Sequence, residues 1–186
     1  MQLLPRLRLA FAAGLVMVGA APAIADMPVT YRSDGRALFQ VSAPDFWQVR
    51  AGGPRSLTPP GSDEARLINR IIGLSPVTES GAWIGFMSPN GVSTFAQAED
   101  YLRNIGQSIV SDPEVTGQRD IRVGGLAARS FKGTGRRDGR GVNFTAVVID
   151  LPGNRMAVSL AVLDSRADPA LVNDLNAIYG SFRAIR

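Results

Sequence analysis

Between Gly133 and Gly141 the chain reads "GTGRRDGRG", placing Arg136, Arg137 and Arg140 around Asp138. Guanidinium forks pair with carboxylates and phosphates, and glycine-rich backbone can approach an anion closely. The stretch is not a P-loop, because it has no G-K-[ST] and no strand-to-helix context. A solvated, flexible hairpin tip explains the same residues and is the simpler reading. The functional reading makes Arg136, Arg137 and Arg140 partner-binding residues. A second candidate is Trp83, between Gly81 and Gly85. Small neighbours would leave its ring open to a ligand, or equally would admit a packed helix.

Other chemistries are excluded or weak. The chain has no cysteine and no histidine. Ser-His-Asp and Cys-His nucleophiles are therefore ruled out, as are zinc sites of thiolate or imidazole. Lys132 is the only lysine, lacks S-x-x-K spacing, and reads as a solvated edge-strand residue. Asp63-Glu64 are adjacent acids in a proline-rich loop, with nothing to drive their pKa values apart. Asp34-Gly35 and Asp138-Gly139 are turn dipeptides without the spaced carboxylates of a calcium loop. The expectation is a chain without catalytic centre, cofactor or metal.

The elements that would position these residues follow from periodicity. Leu38–Val41 and Phe46–Val49 read as a hairpin joined by Ser42-Ala43-Pro44-Asp45, its aromatic residues flanking the core. Asp26–Gly35 reads as a polar lead-in, and residues 52–61 as a loop rich in breakers. Residues 70–74 and 82–87 read as strands. Thr94 and Gln97 form a capping box ahead of a helix with Phe95, Ala98, Leu102, Ile105 and Ile109 on one face. Glu99 and Arg103 fall at i,i+4 spacing on its exposed side. Asp168-Pro169 opens a second helix with Leu171, Leu175, Ile178 and Tyr179 as its apolar stripe. Between the helices lie four strands, about 115–123, 126–133, 142–151 and 155–163. Gly124-Gly125, Asp138-Gly139 and Pro152-Gly153 mark their turns. Val147-Val148-Ile149 is apolar on both faces, as in a covered central strand. The whole reads as an α+β sandwich, a central antiparallel sheet flanked by helices.

These features together resemble a known fold. "FQVSAPDFW", "STFAQAEDYL", "IRVGGLAARSF" and the terminal "YGSF" are similar to the PsbP-like fold. Photosystem accessory proteins, a Ran-binding nuclear import factor and many bacterial envelope proteins share that fold. The resemblance covers nearly all of residues 26–186 and implies a non-enzymatic accessory or binding protein. It carries over no site residue.

The first 25 residues read as a signal peptide. Arg6 and Arg8 precede an apolar stretch from Leu9 to Ala21, and Ala23-Ile24-Ala25 has the small-x-small cleavage pattern. Without Arg6 and Arg8, 20 basic residues against 16 acidic become 18 against 16, a net charge of +2. The isoelectric point of about 10.3 reflects arginine usage, and so small a charge gives no support to a nucleic-acid partner. The expectation is one domain over residues 26–186, periplasmic, with no membrane span after cleavage. It would bind another envelope protein; the alternative is a small-ligand carrier with a pocket between sheet and helix near Trp83.

Overall fold

The computed structural model describes residues 26–53, 55–57, 66–68, 70–78 and 81–185. The signal-peptide segment and the Asp63-Glu64 pair lie outside the described residues.

Seven strands form the main antiparallel sheet: β3 (Trp47–Gly52), β6 (Ile71–Pro76), β7 (Ala82–Met87), β8 (Ser111–Val123), β9 (Leu126–Arg137), β10 (Arg140–Leu151) and β11 (Arg155–Asp164). Their order is β3-β6-β7-β11-β10-β9-β8. Both β11 and β10 lie inside the sheet, and Val147, Val148 and Ile149 are buried on alternating faces, as their composition implied. The β9–β10 turn at Asp138-Gly139 holds both residues at positive φ (50° and 76°). That is the two-residue turn whose twist matches the strands it joins. Strand pairing runs right up to it, so Gly133–Arg137 and Arg140-Gly141 are strand rather than a flexible loop.

A smaller sheet of β1 (Met27–Ser33), β2 (Arg36–Ala43) and β12 (Arg183–Ala184), ordered β1-β2-β12, packs on one face of the large one. Here the sequence reading needs two corrections. The lead-in is a strand, β1, with Tyr31 buried in the core and stacked 4.8 Å from Phe39. In addition, β2 and β3 are not a hairpin, because β2 pairs with β1 while β3 pairs with β6. Ser42–Asp45 is a corner between sheets. The Pro44 carbonyl accepts from Trp47 N at 2.9 Å, the same local turn chemistry serving a different connection. Trp47 is 2 % exposed and donates from Nε1 to Asp174 Oδ2 at 3.3 Å, whereas Phe46 faces outward at 53 %. A third sheet, the two strands β4 (Arg55–Leu57) and β5 (Arg66–Ile68), replaces part of the expected loop.

One helix lies on each face. α1 (Phe95–Gly106) is capped by Thr94, whose side chain accepts from Gln97 N at 3.2 Å. Gln97 Oε1 reaches back to Ser93 N at 2.9 Å. Glu99 does not pair with Arg103. It accepts instead from Arg129 of β9 at 2.7 Å, while Arg103 pairs with Asp100 at 2.6 Å. Arg129 also donates to Asp120 at 2.8 Å and sits 5.3 Å over the Phe95 ring, tying α1 to the sheet. α2 (Pro169–Gly180) is capped by Asp168 and buries Leu171, Leu175 and Ile178 beside the small sheet. The architecture is α+β, but dominated by sheet rather than flanked by many helices. None of the described helices is long and apolar enough to cross a membrane.

The core on the α2 side is aromatic. Phe39 stacks on Phe182 at 5.0 Å, and Phe86 meets Tyr179 edge-on at 5.9 Å. Tyr179 shares a 2.9 Å hydrogen bond with the fully buried Ser159. Burial pushes the Tyr179 phenol well up, the Ser159 bond only partly opposing it, and burial likewise raises Tyr31. Tyrosine in the unfolded chain ionises near pH 10. These raised groups therefore contribute stability that is fully present below about pH 10 and lost as pH climbs toward their folded values. The chain has no histidine or cysteine, the side chains that ordinarily titrate between about pH 6 and 9. Urea midpoints should stay level across that range and fall above about pH 10, less steeply in Tyr179→Phe. A drop between pH 6 and 9 would contradict this.

Candidate functional site

The β7 sequence Ala-Trp-Ile-Gly-Phe-Met sends alternate side chains to opposite faces. Ile84 and Phe86 enter the aromatic core, so Trp83 and Gly85 look out on the α1 side. Register places Gly85 beside Gly73 of β6. A Cβ on Gly73 would lie 2.9 Å from Trp83 Nε1, and one on Gly85 would overlap the far edge of the indole. The ring thus lies flat across two glycines on neighbouring strands. Gly81, the other small neighbour in sequence, instead approaches Ala167.

Arg137 covers the opposite side of the indole, its guanidinium carbon 5.1 Å from the ring centroid. It gets there because β9 runs unbroken to the Asp138-Gly139 turn. Arg140 is directly opposite Arg137 in the ladder and belongs to the same face. Like charges in that position repel, at a cost to sheet stability of a few tenths of a kcal/mol, roughly. Partial compensation comes from Asp138 beside Arg137 and Asp164 beside Arg140, each at 3.9 Å, too long for a hydrogen bond. Arg50 and Gln48 from β3 form the far wall, and the groove so enclosed has a volume of about 700 Å³.

The structure therefore brings together Trp83, Arg137 and Arg140, which are far apart in sequence. It leaves out Arg136, which alternation sends to the other face and which donates to the Gly139 carbonyl at 3.2 Å. Lys132 is exposed, but on β9, an inner strand rather than an edge. Arg50 was not singled out by the sequence, since only the β3–β6 register places it here. Val77, 61 % exposed, also lines the groove, and its N–H donates to the carbonyl of the exposed Phe46 at 2.9 Å. Chemically this is a cationic trough with an aromatic floor, suited to a carboxylate or another planar anion.

A hollow between sheet and helix also exists, separate from this groove. Leu102 and Val110 of the α1 region and Phe131, Phe144, Ala146 and Leu160 of the sheet enclose about 390 Å³. Trp83 packs against the same apolar cluster but does not line the hollow, so the expected carrier pocket is not at Trp83. Among the described residues no group of acidic side chains is arranged to hold a metal ion.

No protein-family model and no curated protein matches the chain. Among solved structures, cyanobacterial PsbP from Synechocystis superimposes with a TM-score of 0.53 at 10 % identity, over 93 % of this chain and 98 % of its own. The chain has the PsbP-like fold, as its packing and turn motifs implied. A Pseudomonas aeruginosa protein of unknown function is similar at 16 % identity, with a TM-score of 0.43 over 83 % of this chain and 94 % of its own. LpqN of Mycobacterium tuberculosis, involved in cell envelope biogenesis, is similar at 15 % identity, with a TM-score of 0.44 over 87 % and 91 %.

Proposed function

We propose that this is a non-catalytic periplasmic binding protein, which holds another envelope protein by an acidic, partly apolar segment laid in the Trp83 groove. The observation that carries the reading is the Arg137–Arg140 pair, set side by side without full compensation, with Arg137 over a half-buried indole. The exposed Val77 on the groove lining, with the exposed Phe46 bonded to it through the backbone, would supply the apolar contact that recognition surfaces combine with charge. Export follows from the signal-like residues 1–25, and mature material from the envelope should begin at Asp26 on N-terminal sequencing.

The test uses the arginine that the fold turns away as an internal control. Arg137→Ala with Arg140→Ala should weaken affinity capture from the protein's own envelope fraction at least tenfold and flatten its salt dependence. Arg136→Ala should capture as the parent does. Both variants should melt within a few degrees of the parent, since exposed substitutions change stability by about 0.5 kcal/mol each. Equal capture by all three proteins would reduce the hairpin to a turn.

The apolar hollow under α1 supports a second reading, a small-ligand carrier, because its size and lining suit a compact apolar molecule. Under that reading Ala146→Phe, which fills the hollow, should abolish uptake of an apolar fluorescent probe without affecting capture.

A further inference from the structure

On the opposite face of the large sheet a cleft of about 360 Å³ runs between α2 and strands β8, β9 and β10. Arg119, Arg122 and Lys132 line it, and no acidic side chain does. None of the three is in an ion pair among the described residues, whereas Arg129, Arg137 and Arg140 on the other face each have a carboxylate within 4 Å. The ladder sets Arg119 opposite Ser130, and Lys132 opposite Gly117 on one side and Thr145 on the other. Arg119 and Lys132 are thus diagonal neighbours on one sheet face, within reach for long side chains. Two adjacent cations repel, and nothing in the cleft offsets them. Ser130, 3 % exposed, presents a hydroxyl at the cleft floor, and Thr145 and Asn143 add further donors. The α2 wall carries an apolar strip, Leu175 and the 42 % exposed Val172, beside the polar Asn176, and Leu163 faces it from the sheet.

We infer that this cleft is a second binding site, for an anion with a phosphoryl or carboxylate head and a short apolar tail. The cations and hydroxyls take the head, and the α2 wall takes the tail. The site lies on the far side of the sheet from the Trp83 groove, so it stands or falls independently of the function proposed above.

The experiment is calorimetric titration of the exported protein with octyl phosphate below its micelle concentration, with inorganic phosphate and octanol as half-ligands. Vesicle flotation on phosphatidylglycerol in phosphatidylcholine, against phosphatidylcholine alone, forms a second arm. Octyl phosphate should bind at least tenfold more tightly than either half-ligand. Arg119→Glu with Lys132→Glu should reduce that binding at least tenfold, while Arg36→Glu at an exposed position of the small sheet, outside both sites, leaves it unchanged. Should the double variant melt abnormally, Arg119→Gln with Lys132→Gln serves in its place. Flotation that depends on Arg119 and Lys132 would identify a lipid headgroup as the source of the anion. Octyl phosphate binding without flotation would identify a soluble ligand, and either result supports the site. Equal octyl phosphate affinity in the parent and the charge variant, or no binding of any probe, overturns it.

Discussion

Replacing Trp47 by alanine should destabilise the protein by about 3 to 5 kcal/mol, the range for removing a buried large aromatic ring. The indole is 2 % exposed and lies where the chain turns from the small sheet into the large one. Its Nε1 donates to Asp174 Oδ2 of α2, so one side chain joins the large sheet to a helix packed on it. Truncation leaves a cavity at that three-way contact and removes the donor from the carboxylate. For a chain of this size the loss corresponds to a fall of roughly 6 to 20 °C in melting temperature. Denaturant titration followed by far-UV circular dichroism measures it. A loss below about 1 kcal/mol would mean the ring is not part of the core. Because the chain has two tryptophans, the same variant leaves Trp83 as the sole indole emitter, reporting directly on the groove.

The second large effect is expected at Gly85. Valine suits a strand backbone, so the penalty for Gly85→Val comes from space rather than conformation. The added carbons occupy the position of the Trp83 ring. The indole must lift from the sheet, which overpacking series put at about 1 to 3 kcal/mol. Arg137 then loses the surface it stacks on. Partner capture should fall as far as in Trp83→Ala, at least tenfold, with near-UV circular dichroism changed in both. Gly85→Val with unaltered capture and unaltered near-UV signal would show that the two-glycine platform does not hold the site.

What could be read from the sequence depended on whether the deciding contact is local. Strands β8 to β11 were legible because the Gly124-Gly125, Asp138-Gly139 and Pro152-Gly153 turns sit where their hydrophobic patterns break. Both helices announced themselves through Thr94 and Asp168, residues whose caps act within one turn. β1 carries almost no readable alternation, because Tyr31 is its only fully buried side chain. The Ser42–Asp45 corner reads as a hairpin because turn chemistry is the same whether the chain returns to its own sheet or enters another. Phe46 and Trp47 were both expected to flank the core, and only the β3–β6 pairing turns one outward. The site was half legible. Its arginines and Trp83 stood out by type, but their convergence depends on the strand order β7-β11-β10-β9, set by long-range pairing. Gly73 and Arg50 carried no signal of their own.

The small sheet also constrains the order of folding. Strand β2 is bordered by β1 on one side and by β12 on the other. The Tyr31–Phe39–Phe182 stack therefore joins residues more than 140 positions apart. A chain emerging from its N-terminus can build the β8–β11 meander from neighbours in sequence, yet it must wait for Phe182 before β2 has its second border. Closing so long a loop is slow relative to forming the hairpins. Until Phe182 arrives, Phe39 is covered by Tyr31 on one side only and Phe86 lacks one of its aromatic neighbours, so a chain ending at Gly180 should be retained by chaperones that bind exposed aromatic surface rather than reach the native state.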